Sequence, residues 1–238
     1  MKERVHTIRG MELIMIKLNN VCKEYNNELL YNNFNIDFKE NKISCILGPS
    51  GIGKTTLVNM ITGLIIPDSG EIMLPLNSKF SYVFQEPRLL EWYSVYDNIE
   101  FVLREYYNIA ERKAIINKTL ALVGLSDFSN YKISELSGGM AQRVSLARAF
   151  AYPSNILILD EPFKGLDYKL EEDLLIKFKS IWQNDKRTVL FITHDIEQAL
   201  FLSDYIYIFN NKPVEVVYRL SMDKSLSIDA KNIIKKYL

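Results

Sequence analysis

The stretch ISCILGPSGIGKTT, residues 43–56, decides which fold this chain can adopt. It begins with the nearly continuous apolar run 43–47, which is typical of a strand buried on both faces. The run leads into a glycine-rich turn that fits G-x-x-x-x-G-K-[ST] over residues 48–55, and a helical pattern follows. Backbone N–H groups, a lysine and a hydroxyl in this arrangement suit phosphate and Mg²⁺. We therefore predict a phosphate-binding loop between a buried strand and a helix; the alternative is a chance glycine turn before a helix.

Strand and helix patterns alternate on both sides of this loop. Strands followed by helices predict a mainly parallel sheet covered on both faces. Asn26-Asn27 and Asn32-Asn33 are turn-prone pairs between the first strands. Besides 43–47, strands are predicted at residues 13–18, 34–38, 80–84, 156–159, 188–193 and 205–209, and helices at about 168–182 and 195–202.

The pattern of apolar residues becomes helical at about residues 87–152. Apolar residues recur there at helical spacing and no strand pattern interrupts them. We predict one domain over residues 11–238 that carries this inserted helical subdomain. Residues 1–10 have no periodicity and are expected to be a disordered tail, whereas 227–238 could form a short amphipathic helix.

Composition and charge exclude several classes of protein. Lys+Arg and Asp+Glu both number 29, so the net charge is zero and nothing favours a nucleic-acid partner. No stretch approaches the roughly 18 to 20 apolar residues that span a bilayer, and the N-terminus is a poor signal peptide. We expect the chain to stay in the cytosol unless partners hold it at a membrane. Cys22 and Cys45 are too few for a disulfide framework and lack metal-ligand spacing.

Two carboxylates, Asp160 and Glu161, end the predicted strand at 156–159. The first could hold the water shell of Mg²⁺, and the second could orient or deprotonate an attacking water. The alternative is a polar strand end before the turn at Pro162.

A second anion site is predicted at Ser137, Gly138 and Gly139. A serine hydroxyl and two glycine N–H groups at a helix start can bind phosphate. One chain needs only one phosphate site for one nucleotide, whereas two chains facing head to tail could each close the site of the other. The alternative is an ordinary serine N-cap with a glycine turn.

In this order and spacing, the loop at 48–55, the stretch 136–142 and the carboxylate pair resemble the ATP-binding cassette (ABC) family. The resemblance covers residues from about 15 to 218. It implies an α/β fold, a RecA-like P-loop NTPase core with a small antiparallel β-subdomain and an inserted helical subdomain. It also implies ATP hydrolysis with ATP and Mg²⁺ as cofactors.

The resemblance also implies roles for single residues outside these motifs. Tyr25 matches the aromatic residue that stacks on adenine, Gln85 the glutamine that meets Mg²⁺ and the attacking water, and His194 the histidine that touches the γ-phosphate. Residues 165–167 match the loop that crosses to the partner subunit. Residues assigned to the nucleotide are Tyr25, Gly48, Pro49, Ser50, Gly51, Ile52, Gly53, Lys54, Thr55, Thr56, Ser137, Gly138 and Gly139. Residues assigned to catalysis are Lys54, Gln85, Glu161 and His194, and those assigned to Mg²⁺ are Thr55, Gln85 and Asp160.

The sequence also departs from the family pattern. Met140 stands where many members have glutamine, and Lys164-Gly165 stands where Ser-Ala is common.

The stretches 84–90 and 136–140 resemble importers of the nitrate, sulfonate and taurine type. The implied partners are a second copy of this chain, integral-membrane permease subunits and an extracellular solute-binding protein, with this chain at the cytoplasmic face of the membrane. The permease would dock near residues 85–96. Alternatives are an ABC exporter subunit, a non-transport ABC ATPase and an inert nucleotide-binding module.

Overall fold

The computed structural model describes residues 14–222 and 230–238. The expectation of a disordered tail at residues 1–10 therefore lies outside the described residues. Among the described residues, none of the helices combines the length and the apolar character that crossing a bilayer requires.

Nine strands and seven α-helices make up the described chain, with short 3₁₀ turns at Ser126–Phe128 and Ile133–Glu135. The strands are β1 Ile14–Tyr25, β2 Glu28–Lys39, β3 Ile43–Leu47, β4 Ser69–Met73, β5 Phe80–Val83, β6 Ile156–Asp160, β7 Thr188–Thr193, β8 Tyr205–Asn210 and β9 Glu215–Ser221. The helices are α1 Lys54–Ile61, α2 Val95–Phe101, α3 Ile109–Leu122, α4 Gly138–Ala151, α5 Tyr168–Asn184, α6 Ile196–Leu202 and α7 Ala230–Tyr237.

A six-stranded sheet forms the centre of the fold, in the order β5-β6-β7-β3-β8-β9. Its first five strands are parallel, and β9 is antiparallel at one edge. Strands β3, β6 and β7 are buried along their whole length, as the continuous apolar runs predict. Alternate residues of β3 serve opposite cores: Ile43, Cys45 and Leu47 pack with the helices that follow β5, whereas Ile46 faces α1 and the smaller sheet.

The smaller sheet is antiparallel, in the order β2-β1-β4. Phe34, Ile36 and Phe38 are buried, which confirms the alternation predicted for 34–38. Asn26 and Asn27 form the hairpin turn, and both have positive φ angles of 51° and 63°, as a tight hairpin requires.

The turn predicted at Asn32-Asn33 is wrong. Strand β2 continues through this pair, and the register of its pairing with β1 shifts there. Asn33 has a φ of 46°, and its backbone N–H donates to the thiol of Cys22 rather than closing a turn. The residue types that favour turns also tolerate the irregular backbone of a bulge, so propensity alone does not separate the two.

Three α-helices lie between β5 and β6. Residues 84–155, all of them described, add no strand to either sheet. Ser94 and Asn108 begin α2 and α3 with reciprocal capping boxes. The helix predicted within 227–238 is present as α7, which buries Ala230 and Ile234.

The loop before α2 is held by one buried amide, that of Asn98. Its side chain accepts a hydrogen bond from the backbone N–H of Leu90 at 2.9 Å. It donates to the carbonyl oxygens of Leu90 at 3.1 Å and Ser94 at 3.0 Å. The loop therefore depends on a side chain that is fully buried.

We predict that Asn98→Ala lowers the free energy of unfolding by about 1–3 kcal/mol, because it leaves the backbone N–H of Leu90 without a partner. The carbonyl oxygen of Leu90 keeps the hydrogen bond from Tyr93 N. Urea unfolding measures the change. The control is Asn184→Ala, which removes an exposed amide that donates to Ser180 O and should change stability by less than about 0.5 kcal/mol. Equal losses in the two variants would contradict the prediction.

Candidate functional site

The carboxyl ends of β3, β5, β6 and β7 meet at one edge of the central sheet, where ligands of open α/β sheets bind. A cavity of about 380 Å³ lies there. Of the predicted site residues, those that line it are Tyr25, Ser50, Gly51, Gly53, Lys54, Thr55, Thr56, Gln85, Asp160 and Glu161. The structure therefore brings residues from separate stretches of the sequence to one cavity.

Two glycines of the loop occupy positions that a side chain would disturb. A Cβ atom at Gly48 would lie 2.5 Å from the carbonyl oxygen of Phe209 on the neighbouring strand. Gly53 has a φ of 119° and stands directly before α1. Its carbonyl accepts a hydrogen bond of 3.0 Å from the Tyr31 hydroxyl, which belongs to the smaller sheet. Both the central and the smaller sheet thus shape the loop.

The ammonium of Lys54 is directed back into this loop. Lys54 is 5% exposed, and its Nζ donates to the carbonyl oxygens of Gly48 at 2.7 Å and Pro49 at 2.8 Å. Burial lowers the pKa of Lys54, while the carboxylates of Glu161 and Asp160 act in the opposite direction. A phosphate in the cavity would meet a positive charge that is already positioned and poorly hydrated. Ile52 is buried beside it in the loop.

Thr55 and Asp160 place two oxygen atoms that could bind a cation side by side in the cavity. The Thr55 hydroxyl donates to Oδ2 of Asp160 at 2.7 Å. Asp160 is 2% exposed, and burial raises its pKa. Hydroxyl and carboxylate oxygens are the ligands that Mg²⁺ prefers, and a buried carboxylate gains most from a nearby cation. The residues present therefore fit the ion that the sequence implies.

Glu161 lies beside this pair in a strained conformation, with a φ of 47° that non-glycine residues rarely adopt. Its backbone N–H donates to Ile192 O at 2.9 Å, which fixes the residue against β7. Oε1 lies 3.3 Å from Nδ1 of His194, and Oε2 lies 3.4 Å from Nε2 of Gln85. The structure thus brings together Gln85, Glu161 and His194, which follow three different strands.

Ser137, Gly138 and Gly139 are placed apart from the cavity and do not line it. Ser137 begins α4, and its hydroxyl accepts a 3.3 Å hydrogen bond from Met140 N. A Cβ atom at Gly139 would lie 3.5 Å from Leu166 of the loop after β6. A single chain therefore presents this segment without using it at its own phosphate loop.

Sequence patterns missed two charged residues of the cavity, Glu28 and Lys212. Lys212 lies in the turn between β8 and β9, far along the chain from the phosphate loop. Glu28 begins β2 directly after the Asn26-Asn27 turn. Its place near the cavity could have been inferred from Tyr25, which lies on the other side of that turn. For Lys212 no pattern gives a signal, since only the order of strands brings it close.

The chain is similar to known proteins. The family model described as ABC transporter matches residues 31–164. Over 216 residues the chain is 37% identical to the taurine import ATP-binding protein TauB of Yersinia pestis bv. Antiqua, covering 88% of this chain and 85% of that protein. It is also 37% identical over 215 residues to the spermidine/putrescine import ATP-binding protein PotA of Clostridium acetobutylicum, covering 86% of this chain but spanning only 61% of that relative.

A solved structure shares the fold. It is the dimeric structure of a post-hydrolysis state of the ATP-binding cassette MJ0796 bound to ADP and Pi. The TM-score is 0.79 at 31% sequence identity, and the match covers 88% of this chain and 99% of the other. The predicted α/β fold class is confirmed.

The raised pKa of Asp160 predicts how stability depends on pH. Between the unfolded pKa near 3.8 and the raised folded pKa, the folded protein binds more protons, so stability falls as pH rises through this window. Asp160→Asn cannot ionise and should become more stable relative to wild type as pH increases from about 4 to about 7. Urea unfolding in chelator without nucleotide measures this difference.

The matched control for this pH dependence is Asp173→Asn. Asp173 is an exposed carboxylate on α5 that pairs with Lys177. Its substitution should leave the pH profile of stability close to that of wild type. A stability difference between Asp160→Asn and wild type that stays constant with pH would contradict the assignment.

Proposed function

This chain belongs to the ABC transporter ATP-binding family and is an ATPase of that family, and we propose that it powers solute import through separate membrane subunits, as one half of a dimer. The observation that carries the proposal is the convergence of Lys54, the Thr55–Asp160 pair and Glu161 on one cavity at the carboxyl edge of the sheet. A phosphate-binding loop, an oxygen-donor pair and a carboxylate base are the parts that phosphoryl transfer needs.

In this proposal the triphosphate of ATP lies on the loop Gly48–Gly53. Backbone N–H groups and the positive end of α1 face the phosphates, and Lys54 stabilises the charge that develops on the outer ones. Tyr25 is 43% exposed at the rim of the cavity, so its ring is free to stack on the adenine. Loop residues that do not line the cavity, Gly48, Pro49 and Ile52, position the others.

Thr55, Asp160 and Gln85 would hold Mg²⁺, which when bound neutralises phosphate charge. Glu161 acts as the general base: its carboxylate accepts a proton as water attacks the γ-phosphorus. The bond from that phosphorus to the β,γ-bridging oxygen breaks, and ADP leaves with the electron pair. His194 lies beside Glu161, with Nδ1 3.3 Å from Oε1, and would contact the γ-phosphate in this proposal.

The second copy of the chain completes the site. Ser137, Gly138 and Gly139 start α4 with free N–H groups that their own chain leaves unused at the phosphate loop. In a head-to-tail dimer they would bind the γ-phosphate held by the partner subunit. Loss of that phosphate would remove the charge between the two subunits and open the dimer. The dimeric ADP-bound and Pi-bound state of the related cassette supports this arrangement.

The remaining partners follow from the class of system. We propose a position at the cytoplasmic face of the membrane, against permease subunits that dock near residues 85–96, with a solute-binding protein outside. The helical insertion at about 87–152, within a single domain over 11–238, would carry part of this docking surface. The two relatives, both 37% identical, are named for import of taurine and of spermidine/putrescine, so overall identity does not select the solute. The stretches 84–90 and 136–140, which resemble importers of the nitrate, sulfonate and taurine type, favour an importer of that group.

Glu161→Gln should lower the rate of ATP hydrolysis about 10²- to 10⁴-fold, because the general base is lost. ATP binding should persist because the phosphate loop is intact. Light scattering with and without Mg·ATP should show a change from monomer to dimer in this variant. Lys54→Ala is the control for the loop and should bind ATP poorly and stay monomeric. Full hydrolysis by Glu161→Gln would refute the role of base.

Ser137→Ala, introduced into Glu161→Gln, should raise the ATP concentration needed for dimerisation about tenfold to a hundredfold, because a hydrogen bond to a charged phosphate is lost. Ser94→Ala in the same background is the matched control. Ser94 caps α2 as Ser137 caps α4, so both variants lose about 1 kcal/mol of helix capping. Equal effects of the two substitutions on dimerisation would rule out a phosphate contact at Ser137.

A further inference from the structure

The turn that follows β6 is held rigidly against the core. Lys164 N donates to Glu161 O at 3.2 Å, which closes the turn. Phe163 is 2% exposed and packs edge-on against Phe191 of β7, with ring centroids 6.2 Å apart. Together with the hydrogen bond from Glu161 N to Ile192 O, these contacts fix the backbone that carries Lys164. Only the lysine side chain has to be ordered for it to reach a neighbour.

The ammonium of Lys164 lies 3.6 Å from Oε2 of Glu161. The same oxygen faces Nε2 of Gln85 at 3.4 Å, and the other oxygen faces Nδ1 of His194 at 3.3 Å. Hydrogen bonds at these lengths are weak and constrain the carboxylate loosely. Charge attraction falls only as the inverse of distance, so Lys164 attracts the carboxylate effectively at the same separation.

We propose that Lys164 is a positioning residue for Glu161, holding its carboxylate toward Gln85 at the edge of the nucleotide cavity. This inference rests on the proposed role of Glu161 as the base. Lys164 stands where the family resemblance leads us to expect serine, whose short side chain carries no charge to this carboxylate. The contact is therefore specific to the Lys164-Gly165 sequence of this chain.

The surroundings of Glu161 distinguish this pair from an ordinary surface ion pair. Lys177 and Asp173 form such a surface pair on α5 at 2.6 Å, with side chains 39% and 51% exposed. Lys164 is similarly exposed at 54%, but the Glu161 side chain is only 11% exposed and lines the cavity. Solvent screens the first pair more than the second. Loss of Lys164 should therefore affect the chemical step more than stability.

Steady-state ATP hydrolysis by the full chain tests the proposal. We expect Lys164→Met to lower kcat about threefold to fivefold, the size of effect that a partly exposed ion pair can produce. The KM for ATP should be unchanged, since Lys164 does not line the nucleotide cavity. Lys164→Arg should restore most of kcat because it returns the charge. Lys177→Met, which breaks the surface pair, should behave as wild type.

Three kinetic results would overturn the proposal. They are an unchanged or increased kcat for Lys164→Met, a change confined to KM, and an equal loss in Lys164→Met and Lys164→Arg. A double-mutant cycle of Lys164→Met and Glu161→Gln, followed by urea unfolding without nucleotide, tests the contact independently of hydrolysis. Additive effects in that cycle would also overturn it. Hydrolysis that persists in Glu161→Gln alone would instead refute the proposed function of Glu161.

Discussion

The buried ammonium of Lys54 is the constraint on which the rest of the structure depends. A charge withdrawn from water must be hydrogen bonded and balanced by opposite charge. The carbonyl oxygens of Gly48 and Pro49 supply the hydrogen bonds, so the loop has to curl back over the lysine. Asp160 and Glu161 supply the negative charge, so β6 has to end close to the loop that follows β3, with only β7 between the two strands. The order of strands and the shape of the loop thus satisfy the same requirement.

The smaller sheet contributes to the site as well as to the core. Its Tyr31 hydroxyl holds the carbonyl of Gly53, and Tyr25 and Glu28 border the cavity from the hairpin. The cavity is therefore shared between the two sheets. The helices after β5 pack on the opposite face of the central sheet, and the segment at Ser137–Gly139 lies at the start of α4, away from its own cavity. This separation is what makes a second copy of the chain a natural part of the proposed cycle.

Sequence patterns predicted which strands and helices exist better than they predicted the residues at which the strands begin and end. Buried parallel strands were recognised because residues covered on both faces leave continuous apolar runs, as in β3, β6 and β7. The hairpin strands β1 and β2 are each 12 residues long, far longer than the predicted runs, because much of their length faces solvent and lacks apolar alternation. The turn expected at Asn32-Asn33 failed for a related reason: a bulge and a turn use the same residue types, and pairing with β1 decided between them.

The sequence by itself predicted the phosphate loop, the paired carboxylates and the serine-glycine segment, because each of these is built from residues adjacent in the chain. Tyr25, Gln85 and His194 could be named only through a family resemblance, since a lone tyrosine, glutamine or histidine carries no pattern of its own. Only the tertiary structure decided that Gln85, Lys164 and His194 surround one carboxylate, and that Lys212 borders the cavity. The physical reason is that parallel strands place their ends at one edge in an order set by the sheet, and this order is absent from the order of the chain.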